Sequence, residues 1–171
     1  MFKIGEYVIY KRTLCKLKDI TEKNNNYYYK LYPIEDENLI INVPINNNSN
    51  NLRYPISKEE ADILIKKIPT IEEIKTNDKV LEQVYQSLMK TNTHEDLIKI
   101  IKTTYLRNEK RRINGKKIAD KDLTYFKKAE DYLYNELSIS LNMNYEECKN
   151  YIISKLSTAE LNNKKEEKNN L

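Results

Sequence analysis

Glycine is almost missing from this chain of 171 residues: Gly5 and Gly115 are the only two. Phosphate-cradling loops of the Walker or dinucleotide type need two or three glycines within about six residues, so neither type is possible. Histidine occurs once, as His94, and the two cysteines, Cys15 and Cys148, lie far apart. That supply excludes a clustered zinc site and a disulfide framework, and it serves hydrolytic triads poorly. Tryptophan is absent. No run of roughly 18 apolar residues exists to span a membrane, and the opening Met1-Phe2-Lys3-Ile4-Gly5-Glu6 does not have the build of a signal peptide. The expectation is a reduced, cytoplasmic, non-enzymatic protein with no cofactor, metal, membrane or small-molecule substrate.

Apolar residues make up 39% of the chain, low against a typical 45–50% that also counts glycine, so the cores are thin. The 22 Asn, 21 Ile and 25 Lys against 5 Arg read as the codon bias of an AT-rich bacterial genome, and many Asn and Lys are filler.

Proline is scarce and unevenly placed. Pro33, Pro44, Pro55 and Pro69 all fall in the first 69 residues. Because proline breaks helices and is tolerated in turns and at strand edges, the front reads as β-rich and the back as helical. Strand-like runs cover Phe2 to Tyr10, Leu14 to Ile20, Tyr27 to Tyr32, Leu39 to Ile45 and Leu52 to Ile56. Turns fall at Asn24-Asn25-Asn26, Glu35 to Asn38 and Asn46 to Asn51, where Asn tolerates left-handed backbone. Five short strands in so few residues predict a small SH3-like or Tudor-like barrel. Within Tyr27-Tyr28-Tyr29-Tyr32, alternate rings fill that barrel and the others cover it, the alternative being a stacking platform for bases.

Ser57-Lys58-Glu59-Glu60 has the form of a capping box and opens a helix carrying Ala61, Leu64, Ile65 and Ile68. Further stripes at helical spacing are Val80, Leu81, Val84 and Leu88; Leu97, Ile100, Ile101 and Tyr105; Leu123, Phe126, Ala129, Leu133, Leu137 and Leu141; and Cys148, Ile152 and Leu156, the last helix capped by Asn144 to Glu147. The fold class is therefore α+β, a barrel at 1–56 followed, after a connecting helix and linker at 57–77, by a compact all-helical domain at 78–157 and a disordered polar tail at 158–171. His94 reads as a lone exposed side chain, and both thiols as buried and inert.

Net charge is only +4, yet Lys99 to Lys117 holds eight basic residues (Lys99, Lys102, Arg107, Lys110, Arg111, Arg112, Lys116, Lys117) against the single acid Glu109. Arginine suits phosphate because its planar guanidinium makes a two-pronged, always-charged contact. One reading is an electrostatic footprint on nucleic acid. The other is a helix end balancing its own dipole, followed by a solvated loop.

The opening Phe2-Lys3-Ile4-Gly5-Glu6-Tyr7-Val8-Ile9-Tyr10, then Tyr28-Tyr29-Lys30-Leu31, Leu39-Ile40-Ile41-Asn42-Val43-Pro44, Asn51-Leu52-Arg53, and Ile118-Ala119-Asp120-Lys121-Asp122 leading to Glu136-Leu137 together resemble, in order and spacing, the CarD/CdnL family. These are bacterial RNA polymerase-binding regulators whose first domain also occurs in transcription-repair coupling factors. The resemblance spans roughly residues 1 to 157. It implies a Tudor-like domain that docks on the polymerase β subunit, partly by adding a strand edge, and a helical domain resting on promoter DNA at the upstream edge of the melted bubble, stabilising the open complex. Carried over to this chain, the polymerase contacts are Lys23, Leu39, Ile40, Ile41, Asn42 and Arg53. On the DNA side the matching positions are Asn77 and Lys79; the remaining expected contacts, weak and largely to the DNA backbone, come from the charge pattern of this chain: Lys99, Lys102, Arg107, Arg111, Arg112, Lys116, Lys117, Lys127 and Lys128. Three departures stand out. Asn42 replaces a basic residue before Val-Pro, the loop Tyr10-Lys11-Arg12-Thr13-Leu14 lacks the family's Gly, and Asn77 stands where members often carry a Trp wedged into the minor groove. The alternative is a polymerase- or protein-interaction module that leaves DNA alone.

Overall fold

The computed structural model describes residues 1–36, 38–46, 51–91 and 93–155. It is α+β: an antiparallel five-stranded sheet comes first in the chain and the helices follow. The chain divides into two units, Met1–Ile56 and a second beginning at Ser57.

The first unit holds β1 (Tyr7–Tyr10), β2 (Thr13–Lys23), β3 (Asn26–Pro33), β4 (Ile41–Pro44) and β5 (Leu52–Arg53), in the order β4-β3-β2-β1-β5. This sheet is open where a closed barrel was expected. β4 has four residues and β5 two, and ladders that short do not meet to close a barrel. Alternation decides what is buried: in β3, Tyr29, Leu31 and Pro33 turn inward and the residues between them outward. With Val8, Cys15, Leu17 and Val43 they form the core, against which Phe2, Ile20 and Ile41 pack. The strand expected from Phe2 begins only at Tyr7, because Gly5, at φ +93°, turns the chain. Phe2 instead folds back onto the rings of Tyr29 and Tyr54, 5.7 and 4.6 Å away. The two tight turns joining β1 to β2 and β2 to β3 each have two residues at positive φ, the signature of type I′. They are Asn24-Asn25 (φ 53° and 57°) and Lys11-Arg12 (φ 45° and 74°).

The second unit contains α1 (Lys58–Lys67), a 3₁₀ turn (Ile68–Thr70), α2 (Leu81–Lys90), α3 (His94–Ile113), α4 (Asp120–Leu141) and α5 (145–155). The Ser57 capping box is complete: its hydroxyl accepts from the Glu60 amide, and the Glu60 carboxylate accepts from the Ser57 amide. Asn144 and Glu147 do the same for α5. The segment 57–77, read as a connector, belongs with the helices, because its stripe Ala61, Ile65, Ile68 and Ile71 is buried. Several stripes are rotated from expectation. Val80, Tyr105 and Leu123 are exposed, while Tyr85, Ile98, Thr103 and Thr104 are buried. Thr103 and Thr104 face inward because their hydroxyls bond the carbonyls of Lys99 and Ile100 one turn back, which removes the cost of burying them. Both thiols are buried, and burial pushes Cys15 up to about 12 and Cys148 to about 11, so neither is a nucleophile at neutral pH. His94 is mostly covered rather than exposed, its Nε2 lying 2.9 Å from Oε2 of buried Glu136 on α4. Among the described residues no helix is long and apolar enough to cross a membrane. Leu156 and the polar tail lie outside the described residues.

Candidate functional site

Residues 107, 110, 111 and 114 are spaced i, i+3, i+4, i+7 and so share one face of α3. At the end of this face the chain reverses. Gly115, at φ +64°, takes the left-handed position, and the Gly115 and Lys116 amides donate to the carbonyls of Arg112 and Arg111, closing a Schellman motif. The reversal returns Lys116 to the same side. Arg107, Lys110, Arg111, Asn114, Lys116 and Asp78 then line a cleft of about 300 Å³.

Arg107 forms the fixed point of this cleft. Its Nε donates to Asp122 Oδ2 at 3.0 Å and its NH1 to Asp78 Oδ1 at 2.7 Å. Asp122 is fully buried and also accepts from the Tyr85 hydroxyl at 3.2 Å. A buried carboxylate without such partners would carry a penalty of several kcal/mol, so this network holds Arg107 in place. The hydrogen bond from Arg107, followed by its charge, keeps Asp78 below its ordinary pKa. Burial opposes the Arg107 charge, but the bonds it makes to both carboxylates outweigh that and raise its pKa. For Tyr85, burial and then the Asp122 charge push the hydroxyl upward, so it remains a donor.

The basic stretch divides in two along α3. Lys99 bonds Asp96, and Lys102 donates to the carbonyls of Pro69 and Ile71, tying down the segment after α1. Arg112 pairs with Glu109. Arg111 reaches only the Lys117 carbonyl, at 3.3 Å. The ammonium groups of Lys110 and Lys116 have no partner among the described residues. Lys127 and Lys128 are exposed on α4, Lys128 lying over the ring of Tyr132. Asn77 is no wedge: its Oδ1 accepts from the Lys79 and Val80 amides at the entry to α2, leaving the Lys79 side chain in solvent. Of the expected DNA contacts, the structure thus gathers Arg107, Arg111 and Lys116 in one cleft and leaves the rest outside its lining. Lys110, absent from the expected contacts, also lines the cleft, and its i+3 spacing from Arg107 is the signal that could have found it. Asp78, and Lys121, whose Nζ donates to the Asp78 carbonyl at 3.4 Å, have no such local signal.

The expected polymerase contacts are not gathered. β4 is an edge strand, and Leu39 and Ile40 lie just before it, both exposed. Ile41 is half-buried in β4 and Asn42 is exposed opposite Lys30. Lys23 sits at the tip of the β2–β3 hairpin opposite Asn26, five residues from the point where β3 meets Ile41, or about 17 Å along the strand. Arg53 is on β5 at the other edge, where its NH1 donates to the Tyr54 carbonyl. The free side of β4 has a definite chemistry. The Ile45 amide donates inward to the Tyr27 carbonyl, so by antiparallel alternation Val43 also bonds inward, and Asn42 and Pro44 direct their backbone groups outward. Pro44 has no N–H. Within β4, the Asn42 amide is therefore the one outward donor, followed along the strand by the outward carbonyls of Asn42 and Pro44.

No protein-family model and no curated protein matches the chain.

Proposed function

We propose that the chain is a transcription regulator that docks on the β subunit of RNA polymerase through the open edge of its sheet and brings its helical unit to promoter DNA near the upstream end of the bubble, modulating open-complex stability. The observation that carries this reading is the β4 edge: a strand paired on one side only among the described residues, with outward backbone groups at Asn42 and next to exposed Leu39 and Ile40, is a template for strand addition. The meander order with β1 between β2 and β5 is also what a Tudor-like domain calls for, and the first four segments that resemble CarD/CdnL fall on or beside these strands, the fifth on α4. On the DNA side, the reading is supported by the cationic cleft at the end of α3, which offers phosphate contacts without reading bases. A second reading, an interaction module with little DNA affinity, draws on Lys99, Lys102, Arg107 and Arg112 all being bonded within the chain.

Asn42→Pro tests the docking. Proline at this position removes the outward donor and leaves the inward ladder intact. The purified variant should keep its circular dichroism and lose about tenfold in affinity for the β subunit, in line with one lost interface hydrogen bond. Wild-type protein that shows no β-subunit binding at micromolar concentration would overturn the proposal. Footprinting the polymerase–promoter complex separates the two readings: added protection upstream of the bubble supports DNA contact, and its absence leaves the interaction module.

A further inference from the structure

The cleft at the end of α3 has features that a helix terminus balancing its own dipole does not explain. Three of the last four carbonyls of α3 are already satisfied by the chain: Lys110 O accepts from both the amide and the side chain of Asn114, Arg112 O from Gly115, and Arg111 O from Lys116. Lys110 and Lys116 therefore do not cap the helix. Both residues line the same cleft as Arg111 and Arg107. Of these four cations, Arg107 is neutralised from behind by buried Asp122, and the exposed carboxylate of Asp78 offsets one more, leaving an excess of two positive charges.

Asp78 occupies the cleft in the manner of a ligand. Its side chain is 67% exposed, yet it sits 2.7 Å from Arg107 NH1, an anion on a guanidinium at the floor of a cationic cavity. Asp122 and Tyr85 would keep Arg107 aligned without it, because the Nε bond and the buried carboxylate do not involve Asp78. Removing Asp78 from Arg107 thus disturbs only an exposed pair, the weakest kind of ion pair.

We propose that this cleft is a binding site for paired phosphate groups, and that Asp78 is its resident counter-anion, displaced from Arg107 when phosphate enters. Two adjacent phosphates supply the two or more negative charges that the excess calls for, and guanidinium groups take phosphate oxygens two at a time. The cavity, at about 300 Å³, lies at the small end of ligand sites, which run from about 300 to 1,000 Å³. A diphosphate-bearing small molecule and two neighbouring phosphodiesters of a nucleic-acid strand share this chemistry. The inference deepens the DNA-facing half of the proposed function, and it stands independently of the polymerase-facing half.

The test uses the full chain as wild type, as Asp78→Asn, and as the double variant Lys110→Met/Arg111→Met. Calorimetry with inorganic pyrophosphate and fluorescence anisotropy with a short labelled single-stranded oligonucleotide are run over a salt series, with circular dichroism confirming each fold. Asp78→Asn should bind either probe about three- to fivefold more tightly, the scale of one exposed ion pair. The double variant should bind at least about tenfold more weakly and show a shallower salt dependence for the oligonucleotide. Pyrophosphate binding alone identifies a small diphosphate ligand. Oligonucleotide binding that pyrophosphate competes away identifies a strand backbone, and both results support the site. Unchanged or weaker binding by Asp78→Asn, or no binding of either probe at millimolar concentration, overturns it. Pull-down of the β subunit with the same variants should be unaffected, so failure there counts against the docking alone.

Discussion

The two ends of α3 carry the same kind of charge and use it differently. Toward the N-terminal end, Lys99 and Lys102 turn back on their own chain, one onto Asp96 and the other onto the carbonyls of Pro69 and Ile71. Toward the C-terminal end, Lys110, Arg111 and Lys116 line an open cleft. Between them, Arg107 belongs to both halves, held by a buried carboxylate behind and presented to the cleft in front. A count of eight basic residues in nineteen positions records none of this, because availability depends on which carboxylates and carbonyls the fold brings within reach.

That contrast can be broken or sharpened by substitution. The largest effect belongs to the residue that joins the halves. Asp122→Ala leaves the Tyr85 hydroxyl and the Arg107 guanidinium without their buried acceptor and should cost about 3 kcal/mol in urea unfolding, the scale of removing one partner of a buried pair; a loss below about 1 kcal/mol would show that Arg107 needs no anchor. A smaller and opposite pair of effects separates the ends. Lys102→Met should cost about 1 kcal/mol of stability and leave polyanion binding as it was, whereas Lys110→Met should leave stability unchanged and weaken polyanion binding. Arg112→Ala completes that series with a change under about 0.5 kcal/mol, since it removes only an i,i+3 surface pair. If Lys102→Met weakened binding as much as Lys110→Met, the division along α3 would not hold.

What was legible in the sequence was local. The Ser57–Glu60 box and the Asn144–Glu147 cap each act across three residues, and the structure realises both. The Asn24-Asn25 turn and the inward alternation of Tyr29 and Leu31 were equally readable, since side-chain direction in a strand follows from a period of two. The Asp78–Arg107–Asp122 network was not, because its partners stand 29 and 15 residues apart and no pattern marks one Asp among many. His94 was misread for the same reason: its partner Glu136 is 42 residues away. Barrel closure failed for another reason. Strand count and turn spacing identify the strands, but closing a barrel also depends on ladder length at its two edges, and β4 and β5 are too short for composition to reveal that.

The scarcity of glycine reaches into how the first unit assembles. Its two type I′ turns demand positive φ at four positions, and none of the four is glycine. Asn24 and Asn25 accept that geometry readily, because their short polar side chains bond locally. Lys11 and Arg12 do not, and a left-handed residue of their kind costs about 1–2 kcal/mol, an expense met only when the surrounding structure fixes it; Arg12 is indeed buried. The β2–β3 hairpin can therefore form on its own, whereas β1 joins only after there is something for Arg12 to be buried against. Folding of this unit should therefore run from the second hairpin to the first, with mutational φ-values near one around Tyr29 and near zero at Ile9; the reverse pattern would refute that order.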